Sequence, residues 1–259
     1  MNTNPVILIT GAASGIGCVI AERFLAADYQ VFVCDAEQAH VTEFARAHPQ
    51  ARAILADVSN PEQVEKLFTT LTSEVDRLDV LINNAGIAGP TALVEDISPE
   101  DWERTVAVDL NGQFFVTRLA VPLLKRTGGG SIINIASNAA FTGCPMRSPY
   151  TASKWAMIGF TKTLAMELGP FGIRVNAICP GSVEGERINA VIARDAGERG
   201  CDEAEIRDIY QRQSSLRTFV TADDVANFAM FLASVQGARI SGQAMGVDGH
   251  TESLANRLD

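Results

Sequence analysis

Seven short runs rich in Val and Ile, near 6–10, 31–35, 51–56, 79–83, 131–136, 173–178 and 243–247, alternate with longer segments of helical periodicity. Parallel strands need long crossovers and helices supply them, so this alternation predicts βαβ units around a mainly parallel sheet. Ser98-Pro99-Glu100-Asp101 places an N-cap, an N1 proline and a capping-box acid before a helix expected to run to about residue 125. Ser148-Pro149 opens a second helix in the same way, and Thr221 with Asp224 a third. No linker-like stretch and no internal repeat divides the 259 residues, which predicts one α/β domain over 1–259. The alternation breaks between Ser182 and Arg217, a charged segment without a strand. It follows a strand end, where open α/β sheets bind ligands, so 182–217 is expected to be a substrate lid.

Composition narrows the function. A net charge of −10 with no stripe of Lys or Arg disfavours nucleic acid and anionic membranes as partners. No apolar run is long enough to span a bilayer, and Met1 to Pro5 has no basic leader, which points to a cytoplasmic protein. The cysteines (Cys18, Cys34, Cys144, Cys179, Cys201) and the histidines (His40, His48, His250) show no metal-ligand spacing, so no metal is expected.

Two stretches carry chemistry. The first strand runs into Thr10-Gly11-Ala12-Ala13-Ser14-Gly15-Ile16-Gly17 directly before a helix. Glycines there let backbone approach a pyrophosphate, and the helix N-terminus offers it unpaired N–H groups. Asp35 ends the second strand, 18 residues beyond Gly17, where an acid suits the adenosine ribose hydroxyls and repels a 2′-phosphate. Glu37 adds to that repulsion, so NAD is expected rather than NADP. Asp57 and Val58, after the third strand, suit the adenine edge.

The second stretch is Tyr150 and Lys154, four residues apart at the start of a helix and so on one face. A phenol titrates near pH 10, and a neighbouring ammonium favours its anion, which makes Tyr150 the candidate proton acceptor. Ser137, just after the Ile132-Ile133-Asn134-Ile135-Ala136 strand, is placed to hydrogen-bond a substrate oxygen. Asn111 is an awkward residue inside a long helix and suits holding water for a proton relay, a capping or buried-amide role being the alternative.

Taken together, Thr10 to Gly17, Asn83-Asn84-Ala85-Gly86, Asn111, Ser137, Tyr150-Thr151-Ala152-Ser153-Lys154 and Pro180-Gly181 resemble the short-chain dehydrogenase/reductase family over essentially the whole chain. The resemblance implies a single-domain Rossmann fold, a doubly wound seven-stranded parallel sheet with helices on both faces. It implies a tetrad of Asn111, Ser137, Tyr150 and Lys154, with Lys154 also on the nicotinamide ribose. Asn84, Ala85, Gly86, Pro180 and Gly181 would line the cofactor. It also implies a homotetramer, or a dimer, assembled through helices 99–125 and 149–169 and the last strand. The family usually places a Thr where Gly185 stands, which leaves the Val183 backbone and Ser182 to hold the carboxamide.

By the same resemblance, residues 138–147 and the lid wall the pocket, contributing Asn138, Cys144, Met146 and Arg147, then Glu184, Glu186 and Arg187. Such walls suggest a small polar hydroxy compound: a polyol, a sugar, or a hydroxy or sugar acid held through Arg147 or Arg187. The alternatives are an NADPH-dependent 3-oxoacyl carrier-protein reductase, opposed by Asp35, and a non-catalytic dinucleotide-binding regulatory protein.

Overall fold

A computed structural model describes residues 4–253. Its strands are β1 (Val6–Thr10), β2 (Gln30–Asp35), β3 (Arg52–Leu55), β4 (Val80–Asn83), β5 (Gly130–Ile135), β6 (Ile173–Pro180) and β7 (Ala244–Val247). All pair in parallel, in the order β3-β2-β1-β4-β5-β6-β7. Every strand lies within two residues of its sequence expectation, because each apolar run is bounded by turn residues.

Side-chain alternation sends Val6, Leu8, Phe32, Leu81 and Ile132 to one face of the sheet, and Ile7, Ile9, Val33, Ile82 and Ile133 to the other. Helices α1 (Gly15–Ala26), α2 (Gln38–Ala47) and, late in the chain, α9 (Ala222–Ala233) cover the second face. The first is covered by α3 (Pro61–Glu74), α5 (Gly112–Arg126) and α6 (Ser148–Leu168). Both faces are therefore dry, and each fully buried Leu or Ile contributes roughly 1.5–3 kcal/mol.

The long helix expected from Ser98 is built in three pieces: α4 (Pro99–Val106), a π-helical turn over Ala107–Asn111, and α5. Ser98 caps it as the sequence predicts, accepting from the Asp101 amide and donating to its carboxylate. Helix α6 starts one residue earlier than expected: Arg147 stands at the cap position, and Ser148, inside the helix, has a buried hydroxyl without a partner. The segment 182–217 holds two helices, α7 (Glu186–Arg199) and α8 (Glu203–Arg212), which pack around Ile188, Ile192, Ile206, Ile209 and Phe219. No helix of the described residues is long and apolar enough to cross a membrane.

Thr221 and Asp224 form a complete capping box at the start of α9, which packs on α1. Replacing Thr221 by Ala should lower the unfolding free energy by about 1 kcal/mol. Urea denaturation of the two proteins measures it, and an unchanged midpoint would show that the box contributes nothing.

Candidate active site

The chain passes from β1 outward to β2 and β3, then returns to place β4 on the other side of β1. The carboxyl ends of β1 and β4 therefore flank the crevice in which sheets of this kind take ligands. Gly11 follows β1 with φ +58°, and a Cβ on it would lie 2.6 Å from the Cα of Ala85, just past β4. Gly17 is equally confined: its Cβ would meet the Gly11 carbonyl oxygen and the Asn84 amide nitrogen, each at 2.6 Å. Only glycine lets these two loops touch. Asn84 locks them by donating to the carbonyls of Thr10 and Gly11, while Thr10 Oγ1 accepts from the amides of Asn84 and Ala85.

Ser14 stands at the N-cap of α1 but makes no side-chain cap bond, so its hydroxyl and the amides of Gly15, Ile16 and Gly17 are left for an anion. A Cβ at Gly15 would meet nothing within 4 Å, so this side of the loop is open. Asp35, at the end of β2, accepts from the Ala13 amide at 3.2 Å and the Glu37 amide at 3.2 Å, which holds its carboxylate beside the glycine loop. This cradle fits a dinucleotide: backbone donors at a helix start, no side chain in the way, and an acid where a ribose would lie.

Asp57 is more engaged than its sequence position suggests. One oxygen accepts from the amide and hydroxyl of Ser59, and the other faces Arg104 at 3.1 Å. Burial pushes its carboxyl up, but the bonds from Ser59 and Arg104 outweigh this and hold it below the usual carboxylate range. With both oxygens partnered, the backbone of Val58 is the freer contact for an adenine edge.

Beyond β5, Ser137 is buried, accepts from the Ala139 amide and donates to Asn138 Oδ1. Tyr150 and Lys154 share one face of α6, with Lys154 Nζ 5.5 Å from the Tyr150 ring centre. Lys154 is 4% exposed and donates to the Ile135 carbonyl at 3.2 Å. Arg147 lies over the same phenol ring at 4.8 Å and donates to the Ala88 carbonyl at 2.7 Å.

The expectation for Asn111 is corrected. It lies exposed at the end of the π turn, while Asp109, two residues earlier, is fully buried. Asp109 Oδ1 accepts from the Ile87 amide at 2.7 Å, and its Oδ2 sits 3.9 Å from Lys154 Nζ. The inward-facing stripe of this helix passes through Thr105, Asp109, Gly112, Gln113, Val116 and Ala120, which leaves residue 111 on the outside.

The remaining predicted residues fall in two groups. Pro180 ends β6, and Gly181, just beyond it, donates to the Val247 carbonyl. The lone bridge between Val183 and Val220 uses the Ser182 carbonyl and the Glu184 amide, which turns the N–H and C=O of Val183 away from it. On the substrate side, Asn138 donates to Thr251 Oγ1, Cys144 is partly buried, Glu184 pairs with Arg207 at 3.0 Å, and Arg187 is exposed on the first turn of α7. A small cavity lies among Asn138, Ser182, Tyr210, Gln213, Phe219 and Thr251. Its walls from α8 and from the segment after β7 carried no local signal, since these pieces are brought together by pairing of 213–216 with 249–252, far apart in sequence.

Among the described residues one set of potential metal ligands also comes together: Cys18, Glu22 and His48 have ligand atoms within 4.8 Å of one another. Sequence spacing hid it because α1 and the end of α2 supply the parts. Burial and two acids push the Cys18 thiol up to about 11, which opposes the thiolate a metal requires.

Comparison with known proteins agrees with this fold. Residues 11–250 match a family model described as enoyl-(acyl carrier protein) reductase. Galactitol 2-dehydrogenase of Agrobacterium fabrum is 36% identical over 248 residues, covering 95% of this chain and 96% of that protein. The chain belongs to the short-chain dehydrogenase/reductase family. It is accordingly an oxidoreductase of secondary alcohols and ketones that works with a nicotinamide dinucleotide. D-beta-hydroxybutyrate dehydrogenase of Rhizobium meliloti is 32% identical, over 93% of this chain and 96% of that one. Among solved structures, an actinorhodin polyketide ketoreductase with NADPH superposes with a TM-score of 0.91 at 32% identity (96% and 98% covered). An NAD+-bound xylitol dehydrogenase gives 0.88 at 26% identity (95% and 99% covered).

Because the space at Gly17 is closed by the Gly11 carbonyl and Asn84, Gly17→Ala should weaken binding of the reduced dinucleotide about tenfold, roughly 1.4 kcal/mol, measured by fluorescence titration of the folded protein with NADH and NADPH. Unchanged affinity would show that the two loops need not touch.

Proposed function

We propose that the chain is an NAD-dependent dehydrogenase and ketone reductase acting on a small polar secondary alcohol, a polyol or sugar. The observation that carries this reading is the placement of Tyr150, flanked by Lys154, on the first turn of a helix at the same sheet edge as the dinucleotide cradle. When bound, the nicotinamide supplies the hydride chemistry. In alcohol oxidation Tyr150 takes the hydroxyl proton, Ser137 donates a hydrogen bond to the substrate oxygen, and the Lys154 ammonium favours the phenolate. For NAD rather than NADP the support is Asp35, whose carboxylate stands where a 2′-phosphate would have to go. The same carboxylate argues against an NADPH-dependent carrier-protein reductase.

The polyol reading rests on the polar walls supplied by Asn138, Ser182, Gln213 and Thr251, and on the galactitol and xylitol dehydrogenases among the relatives. Arg147 is committed to Ala88 and to the phenol ring, so a substrate carboxylate would fall to Arg187. Assembly as a tetramer is part of the proposal: Trp102, Phe114, Trp155 and Met166, on α4, α5 and α6, expose large apolar surfaces to solvent. A cytoplasmic setting fits its free cysteines.

Purified protein tested with galactitol, xylitol and 3-hydroxybutyrate, with NAD and NADP side by side, should reduce NAD with at least one polyol. Tyr150→Phe should cut kcat/KM by roughly 10²–10⁴. Asp35→Ser should erode the preference for NAD by about tenfold or more, one lost interaction of roughly 1.4 kcal/mol. Unaltered turnover by Tyr150→Phe would overturn the reading, and tight NAD binding with no turnover on any alcohol would favour a binding protein.

A further inference from the structure

The proton-transfer site contains a group that the reading above does not use. Behind Lys154 lies a carboxyl side chain with no exposed surface, contributed by the π turn. Its Oδ1 is satisfied by the Ile87 amide, and its Oδ2 has no hydrogen-bond partner but points to an ammonium 3.9 Å away. The fit is close: a Cβ on Gly86 would lie 3.3 Å from Lys154 Nζ and 3.4 Å from Asp109 Oδ1.

Two cations flank the Tyr150 ring, the Arg147 guanidinium at 4.8 Å and the Lys154 ammonium at 5.5 Å from its centre. We propose that Asp109 is a positioning residue of the proton-transfer site, a buried counter-charge that offsets Arg147 and Lys154 and so sets the pH range in which Tyr150 accepts a proton. The proposal rests on Tyr150 being that acceptor. With Asp109 ionised, the three charged groups leave one net positive charge beside the phenol; an amide in its place would leave two. Each extra positive charge favours the phenolate, so the carboxylate holds the working range higher than an amide would.

The groups facing Asp109 come from every neighbouring element. Lys154 comes from α6, Arg147 from the loop before it, Arg187 from α7, and the Ile87 amide from the loop after β4. Burial pushes the Asp109 carboxyl above the usual range, and these partners pull against it without restoring it. The nearby thiols stay out of the balance. Burial pushes Cys179, near Lys154, up to about 12, and it pushes Cys144, near Arg147, up as well.

Asp109→Asn is nearly isosteric, keeps an oxygen for the Ile87 amide and removes only the charge. With NAD and the best alcohol of the panel, the acid limb of its kcat/KM profile should move down by about one pH unit, so that it outruns the native protein about tenfold on the acid side. Asp109→Glu, which keeps the charge, should return the limb toward the native position. A limb that coincides in native protein and Asp109→Asn overturns the proposal, since a merely structural role would lower activity without moving the profile.

A second measurement needs no turnover. In NAD-bound protein labelled with carbon-13 at the aspartate carboxyls, one resonance should titrate above the ordinary aspartate range and move higher still in Lys154→Met. If no aspartate resonance responds to that substitution, the coupling is absent and the proposal fails. Inactivity of the native protein on every alcohol would instead count against the function proposed above, with the resonance still deciding this point.

Discussion

A lysine ammonium that is 4% exposed is the constraint around which this site is built. An ion taken out of water must find charge and hydrogen-bond partners in the protein. Lys154 finds the Ile135 carbonyl at the end of β5 and the Asp109 carboxyl on the π turn. These contacts tie α6, the central strand ends and the α4–α5 helix to one point, and they fix Tyr150 one turn earlier on the same face. Leaving either member of a buried pair alone typically costs about 3–5 kcal/mol, so the arrangement resists drift. The phenol is therefore held by the same contacts that hold the fold together.

Around that point the polar groups inside the sheet are joined rather than isolated. Asn83 donates to Thr117 and to Asn134, and Asn134 donates to Thr161, a chain running from α5 across β4 and β5 to α6. Gln113 donates to the Ala85 carbonyl, so the loop past β4 is held from below as well as by Asn84. A buried amide is tolerable only when its donors are met, and here that requirement specifies how the helices sit on the strands. The crevice is consequently cross-linked by hydrogen bonds on its cofactor side. The opposite side is made of α7, α8 and the segment after β7, joined by bonds such as Ser215 to the His250 carbonyl and Asn138 to Thr251.

The sheet could be read from the sequence because each strand of a doubly covered parallel sheet is an apolar run in its own right. The glycine turn, Asp35 and Ser137 could be located because each sits next to such a run, at a strand end, whereas Tyr150 and Lys154 could be put on one face by their spacing at a helix start. Asn111 misled for the opposite reason. Its oddity as a helix-interior amide drew attention, yet its phase belonged to solvent. The buried stripe Thr105, Asp109, Gly112, Gln113, Val116 and Ala120 was already present in the sequence, and an acid on an otherwise uncharged face was the signal. The cavity walls from Tyr210, Gln213 and Thr251 had no such signal, because they are brought together by backbone pairing between distant segments.

The π turn makes the exchange of amide for acid consequential. Inserting one extra residue into a helical turn shifts the register of the side chains that follow, and such turns recur where a side chain must be aimed. Here the turn brings Val108 and Asp109 inward together, the apolar side chain into the core and the carboxyl toward Lys154. Bringing a carboxyl rather than a neutral amide to that place adds a charge to the least solvated part of the site, where screening is weakest and each charge counts most. In the mechanism proposed above, tuning of the phenol then lies with residues that never touch the alcohol.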